Sequence, residues 1–326
     1  MTPVAVRREH LIARYDASGA ATLDELVPLA YERTRDGLPA HVRAASALRR
    51  FGSRVVVVQD DVNALAVIDA AGVVRAVSLP PHASGSRVFD DTLGNKHEKL
   101  DLEAGTYLPD GRFVAFGSGS APPREQVVVW DGQSRAAAVM MARPLYRALR
   151  NALEQSEARL NIEGAIVDEA SLRLFHRGND LRVAGLTPQS AFIDVELREF
   201  LRWLDGGAAE PSITNVTTVD LGEVSGVPFG FTDAVAIDRG CAVVLACAED
   251  SACAISDGAV LGCRVGLLDS GGLRTVDVYD ATGERTPLKL EGIERRPGSS
   301  TEFDVAVDVD RPAAPAMLGR LVWNWR

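Results

Sequence analysis

The chain has 326 residues, room for one large domain or two ordinary ones. Its 35 Lys+Arg against 45 Asp+Glu give a formal charge of −10, a field that repels phosphate backbones and argues against a general nucleic-acid role. Hydrophobic residues make up 46% and charged residues 25%, the mix of a globular chain with ample core. No apolar run reaches the ~18–20 residues that a membrane helix needs, and the first residues lack the apolar region and small-residue cleavage site of a signal peptide. The expectation is a soluble, cytoplasmic protein without nucleic-acid or membrane partners; a protein partner is left open.

In chain order, residues 4–14 (VAVRREHLIAR) read as a strand, expected to lie on the outside and close the fold. Residues 22–36 read as a helix, with Thr22 and Glu25 at capping-box spacing ahead of Leu26, Leu29 and Tyr31. The first β-rich unit follows: AASALRRF (44–51), RVVVVQDD (54–61), ALAVIDAAG (64–72) and VVRAVSLP (73–80). The second comprises LDLEAGTYL (100–108), RFVAFGSGS (112–120) and EQVVVWD (125–131). A second helix is expected over 144–157, with Pro144 in its first turn and Leu145, Leu149 and Leu153 on one stripe. Both helices are expected to pack on a rim of the fold, or to cover its mouth. LNIEGAIV (160–167) and LRLFHRGN (172–179) form the third unit, GFTDAVAI (230–237), AVVLACAED (242–250) and VLGCRVGLLD (260–269) the fourth. The fifth holds LKLEGI (288–293), FDVAVDVD (303–310) and AMLGRLVW (316–323).

Mid-run positions Val57, Ala115, Phe175, Leu245 and Ala306 are separated by 58, 60, 70 and 61 residues, a period near 60. Units of three or four short β runs without crossover helices, repeated at this period, predict an all-β protein, a single β-propeller spanning 1–326. Five blades are preferred and six are possible, with residues 1–43 as closing strand and helix, 44–326 as blades, and two short helical insertions.

Cys241, Cys247, Cys253 and Cys263 fall within 23 residues, but their gaps of five, five and nine are not zinc-knuckle spacing. Buried reduced thiols are the plain expectation, with a disulfide or a metal site as alternatives.

Four units share an acid followed by a small residue: Glu103-Ala104, Glu163-Gly164, Asp233-Ala234 and Glu291-Gly292. On innermost strands these acids would surround one channel. Crowded carboxylates there need Lys or Arg partners, backbone N–H donors, or a hard cation such as Ca2+. Glu103, Glu163, Asp233 and Glu291 are therefore the candidate ligands for Ca2+ or another divalent cation. Lys99, His176, Arg177, Asn179, Glu249 and Asp250, near strand starts and ends, are the candidates for binding a small-molecule ligand. Gly117-Ser118-Gly119-Ser120 lacks the Lys-Ser/Thr ending of a P-loop and reads as a turn. No G-x-S-x-G elbow, dinucleotide fingerprint or H-E-x-x-H occurs, so no catalytic residue is assigned.

The stretches KLDLEAGTYLPDGRFVAFGSGS (99–120), LNIEGAIV (160–167) with LFHRGN (174–179), VPFGFTDAVAI (227–237) and KLEGI (289–293) resemble an uncharacterised bacterial β-propeller family related to phytase-like and esterase-like propeller proteins. That resemblance implies acidic clusters holding calcium, although a dense Lys/Arg phosphate cluster is missing. The chain also looks somewhat like gluconolactonase-type propellers, which would put Glu103 or Glu163, Asn179 and Asp233 around a divalent ion. The functions carried forward are binding of a small polar ligand at an acidic central channel, with or without a divalent cation; metal-dependent hydrolysis of an ester, lactone or phosphoester; and a protein-interaction scaffold.

Overall fold

In a computed structural model, residues 5–33, 37–154, 160–178, 189–250 and 258–325 are described. Three N-terminal strands, β1 (Arg7–Ile12), β2 (Arg14–Tyr15) and β3 (Ala21–Pro28), precede four β-meanders and a three-stranded one. The first sheet is β4 (Ala45–Phe51), β5 (Arg54–Gln59), β6 (Ala64–Ile68) and β7 (Val74–Ser78). The second is β8 (Leu102–Tyr107), β9 (Phe113–Gly117), β10 (Gln126–Trp130) and β11 (Ala138–Met141), followed by helix α1 (Arg143–Leu153). The third is β12 (Ile162–Asp168), β13 (Ser171–His176), β14 (Ser190–Glu196) and β15 (Ile213–Asp220), with helix α2 (Leu197–Leu204) between the last two. A small hairpin, β16 (Glu223–Val224) and β17 (Val227–Pro228), leads to the fourth: β18 (Gly230–Asp238), β19 (Cys241–Asp250), β20 (Ala259–Asp269) and β21 (Gly272–Tyr279). The fifth has β22 (Lys289–Arg295), β23 (Glu302–Asp308) and β24 (Met317–Trp323).

Within every sheet, consecutive strands pair antiparallel. The first strands pack side by side in a closed cycle, β4–β8–β12–β18–β22 and back to β4. Apolar clusters fill each gap between neighbours. Val58 and Phe113 belong to the cluster between sheets one and two, and Phe116 and Ile193 to that between two and three. Phe175 meets Phe231, Leu245 and Phe303 share a cluster, and Leu48 and Ala306 share another, which brings the fifth sheet back against the first. A meander has two apolar faces and buries both only between neighbours, so the cycle is what gives each sheet its core.

The N-terminal segment corrects two expectations. The strand at 4–14 forms, but β1 pairs parallel to β15 on the third sheet and β2 parallel to β21 on the fourth. The closing strand is β3, antiparallel to β24 as the missing fourth strand of the fifth sheet, in the stretch expected to be a helix. Ala21 and Leu23 are buried while Thr22 is exposed, the period of a strand. Asp24 and Glu25 bind Arg320 of β24 rather than capping a helix. An unpaired edge at β24 overrode local helix propensity.

Helix α1 forms within the expected stretch and ends at Leu153, burying Leu145, Tyr146 and Leu149 and leaving Leu153 half-buried, while 155–157 lie outside the described residues. Helix α2 was not anticipated; Leu197, Phe200 and Leu204 are buried on one stripe, but it starts directly from β14 with no side-chain cap to announce it. The thiols also differ: Cys247 and Cys263, opposite one another on β19 and β20, form a disulfide, because facing cross-strand positions bring their Cα atoms to 4.2 Å. Cys241 is a free thiol and Cys253 lies outside the described residues.

Two outcomes follow from this packing. Leu23→Ala should lower stability by ~2–5 kcal/mol in urea unfolding, the range for a buried leucine, whereas a solvent-facing helix there would lose almost nothing. Reduction should lower the melting temperature of the protein by several degrees, since the disulfide closes a 16-residue separation worth ~3 kcal/mol in the chain-entropy account; a Cys247→Ser, Cys263→Ser variant should not respond to reductant.

Candidate functional site

Each innermost strand carries a β-bulge near its start. The register slips at Ser46 in β4, Glu103 in β8, Glu163 in β12, Thr232 in β18 and Glu291 in β22. The recurring acid is the extra residue of a bulge, a conformation that re-aims one side chain out of the ladder. The small residue after it lets neighbouring strands approach. A Cβ on Gly164 would lie 3.1 Å from the Ala234 nitrogen, and one on Gly292 would lie 2.8 Å from that of Leu48.

This alignment moves Asp233 out of the acid set, because Thr232 occupies the bulge and Asp233 stands where the others have Ala or Gly. Its carboxylate, fully buried, is held by Arg49 at 2.7 and 2.8 Å and accepts the Ile293 N–H at 2.9 Å. It does not line the cavity formed by the other three acids, so it cannot share a cation with them. Arg49 lies three residues past the bulge of β4. It donates to the carbonyls of Ala165 at 2.9 Å and Ala234 at 2.6 Å, and reaches Ile293 O at 3.4 Å. One guanidinium thus ties sheets one, three, four and five and spans the axis behind the bulges.

In front of it opens a cavity of about 310 Å³ containing Glu103, Glu163 and Glu291. Among the described residues, eleven acidic and seven basic side chains line it. Most of this charge is paired. Lys99 donates to Asp60 and Asp101, each at 2.6 Å, and Arg124 binds Asp101 at 2.8 Å. Arg177 reaches Glu249 at 2.7 Å and Glu163 at 3.5 Å, while Lys289 binds Glu291 at 2.8 Å and lies 3.7 Å from Glu249. Arg43 pairs with Asp61 at 2.5 Å and with Asp90, on the connector between the first two sheets, at 3.2 Å. The Ser118 and Ser120 hydroxyls bind Asp101, so the glycine-serine stretch is a turn that holds a carboxylate. Gly119 sits there at φ +74°, and a Cβ on it would strike the Tyr146 ring at 2.5 Å.

Some polar atoms in this wall are left over. Asp60 Oδ1, Asp61 Oδ1, Arg43 Nε and Glu291 Oε2 are buried without a hydrogen-bond partner among the described residues. Burial pushes Asp60 up to about 7 against the pull of Lys99, and Glu163 up to about 8 against that of Arg177. Glu103 is raised well above its usual range by burial and by Asp60 and Glu163. Burial opposes ionisation of Asp101 too, but Lys99 and Arg124 overcome it and hold that carboxyl far below its usual range. Glu249 is likewise lowered despite burial, by Lys289 and Arg177. One oxygen each from Asp60, Asp101 and Glu103 lie within 4.8 Å of one another, close enough to share one cation, yet the Lys99 ammonium already touches two of the three carboxylates.

Of the expected ligand-binding residues, Lys99, Arg177 and Glu249 line the cavity. His176 does not: it is buried at the end of β13, where its Nδ1 accepts the Asn161 N–H at 3.1 Å. Asp250 is exposed and away from the cavity wall, because side chains alternate along β19 after Glu249. Asn179 lies outside the described residues. Arg43, Arg49 and Asp101 were missed. An arginine inside an apolar β run, as in ASALRRF, was the one available signal for the axial guanidinium.

Arg49→Met should cost ~3–5 kcal/mol, since it strands a buried carboxylate, and Asp233→Asn added to it should restore part of that loss in the same urea titration. Asp60 and Glu163 keep protons in the folded chain that the unfolded chain releases above their ordinary values of 3.8 and 4.5. Their contribution to stability is full below those values and is lost as pH rises through about 7 and about 8. Unfolding midpoints should therefore fall between pH 5 and pH 8, and Asp60→Asn with Glu163→Gln should flatten that slope.

No curated protein sequence matches the chain. Among solved structures, a GH43 β-1,3-galactosidase superposes with a TM-score of 0.52 at 10% identity, over 91% of this chain and 58% of that one. The chain thus spans little more than half of that enzyme. Myxococcus xanthus glutaminyl cyclase gives 0.45 at 12% identity over 97% and 100% of the two chains, and a protein of unknown function from Dyadobacter fermentans gives 0.42 at 11% over 99% and 100%. At these identities the likeness concerns fold alone, and that fold is propeller-like. The phytase-like relation finds no support in either comparison. A family model matches residues 41–321, most of the chain including all five innermost strands, and the protein belongs to that family of unknown function, DUF6929.

Proposed function

We propose that the five sheets are the blades of a five-bladed propeller whose charged cavity binds a small polar ligand. The observation that carries this reading is the set of buried polar atoms without partners, Asp60 Oδ1, Asp61 Oδ1, Glu291 Oε2 and Arg43 Nε, in one cavity of about 310 Å³. Each such atom costs ~1–3 kcal/mol unless something bonds to it. Two acceptor oxygens, the Arg43 donor, and an Asp60 carboxyl that donates while protonated and accepts once ionised suit a compact ligand rich in hydroxyl or amino groups, such as a sugar, a polyol or a small amine. Arg49 spans the axis behind the bulges, so the ligand enters and leaves by one face.

A divalent cation is a second element of the reading, favoured by the closeness of Asp60, Asp101 and Glu103. Lys99 stands against it, because its ammonium supplies from within the chain the charge that a metal would bring. Turnover is the alternative, favoured by Glu103 and Glu163. Both carboxyls are raised by burial, which leaves them able to donate a proton near neutral pH. Hydrolysis of an ester, lactone or phosphoester would use them as general acids.

A thermal-shift screen of sugars, polyols and amines, followed by calorimetry on whatever binds, tests the ligand. Asp61→Asn and Glu291→Gln should each weaken that binding by about tenfold, the loss of one good polar contact; wild-type affinity in both variants would overturn the assignment. Calcium should leave the wild-type melting temperature unchanged and raise that of Lys99→Met, whose three carboxylates lose their internal cation. A rise in the wild type that a chelator abolishes would favour the metal instead.

A further inference from the structure

A second cleft, of about 350 Å³, opens between the outer parts of the first two sheets. It collects arginines from four separate segments: Arg33 from the connector after β3, Arg54 from the start of β5, Arg75 from β7, and Arg135 from the turn between β10 and β11. Two acids share the cleft, Glu32 and Asp69, and both are engaged by Arg75, at 3.3 and 2.7 Å. The guanidiniums of Arg33, Arg54 and Arg135 have no hydrogen bond or ion pair among the described residues. In a chain of net charge −10, three uncompensated guanidiniums around one cleft stand out from the general field.

The surroundings fix the backbone that carries Arg135 and Arg54. The Trp130 indole donates to Ser134 O at 2.8 Å, fixing the turn that carries Arg135. That turn is bonded to the first sheet as well, by Ser78 N–H to Arg135 O and by Ala137 N–H to Ser78 O, both at 3.0 Å. Arg54 is anchored by its pairing with Phe51 across the β4–β5 turn. Val67, Val74, Val77 and Trp130 supply apolar walls, which lower the local dielectric and strengthen any ion contact made there. The cleft is separate from the axial cavity: Arg54 opens β5, and Asp60 lies beyond its other end, six residues or ~20 Å along a strand.

We propose that this cleft is a binding site for an oxyanion, a phosphate, sulfate or carboxylate group presented by its ligand. Planar guanidiniums match two oxygens of such a group at once, and three of them here have no ion-pair partner among the described residues. The group has two possible sources, a free small anion or the headgroup of an anionic lipid.

Calorimetry with inorganic pyrophosphate at low salt, and co-sedimentation with phosphatidylglycerol vesicles, address the two sources in parallel. The wild type should bind at least one probe, with affinity falling as salt rises. Arg54→Glu with Arg135→Glu should weaken it by at least about tenfold, while Arg239→Glu, on the exposed turn between β18 and β19, should not. The melting temperature of each variant without anion checks that the ring is intact. Pyrophosphate binding assigns a free anion, and vesicle binding alone assigns a headgroup. Failure to bind either probe, or equal weakening by Arg239→Glu, would overturn the proposal.

Discussion

Charge burial around a common axis is the constraint on which the rest of this structure depends. Bringing five innermost strands together puts acids on one small wall, and isolated carboxylates there would not stay ionised. The chain answers with cations tethered to its own backbone. Lys99, Lys289, Arg177 and Arg43 offset much of the charge on the wall of the cavity, and Arg49 with Asp233 forms the seal behind it. Several of these pairs bridge different sheets: Lys99 with Asp60, Arg177 with Glu249, and Arg49 with Asp233. Register, closure and electrostatics are therefore one problem: a slipped strand would lose its core face and strand a charge together.

That coupling explains which parts of the molecule were legible in its sequence. The acid followed by Ala or Gly repeats because two needs coincide, a bulge that turns the acid inward and a small residue where neighbouring strands touch. The period near 60 survives for the same reason, stretched to 70 only where α2 and the β16–β17 hairpin enlarge the step from the third unit to the fourth. The fourth unit misled because its acid is displaced by one residue. Asp233 has the right neighbours in sequence and the wrong place in the ladder, and only the pairing with β19 reveals it.

Other features were not local at all. Residues 22–36 begin with good helix-start chemistry, and what makes 21–28 a strand is an unpaired edge nearly three hundred residues away. Asp101 joins the cavity wall through Lys99 beside it and Arg124, 23 residues on, and Arg43 through Asp90, 47 residues on, all outside any period. The cysteine spacing gave no sign that Cys247 and Cys263 face one another, since that depends on the register of β19 against β20. What a residue does within one unit was readable; what it does for the neighbouring unit was not.

The route of the N-terminal segment has a consequence for synthesis. It runs along the third and fourth sheets before supplying the last strand of the fifth, so the first strands made are partnered by strands made much later. During translation β3 has only a two-residue parallel pairing with β21 to join until β24 has left the ribosome. The four complete meanders acquire their neighbours in order, but the cycle stays open until β22 can pack against β4. The last joint of the ring is thus also its most non-local contact, a slow step by topology. A nascent chain would expose the β24 edge at that stage, and the early-made strand, already docked nearby, would cover it before another molecule does.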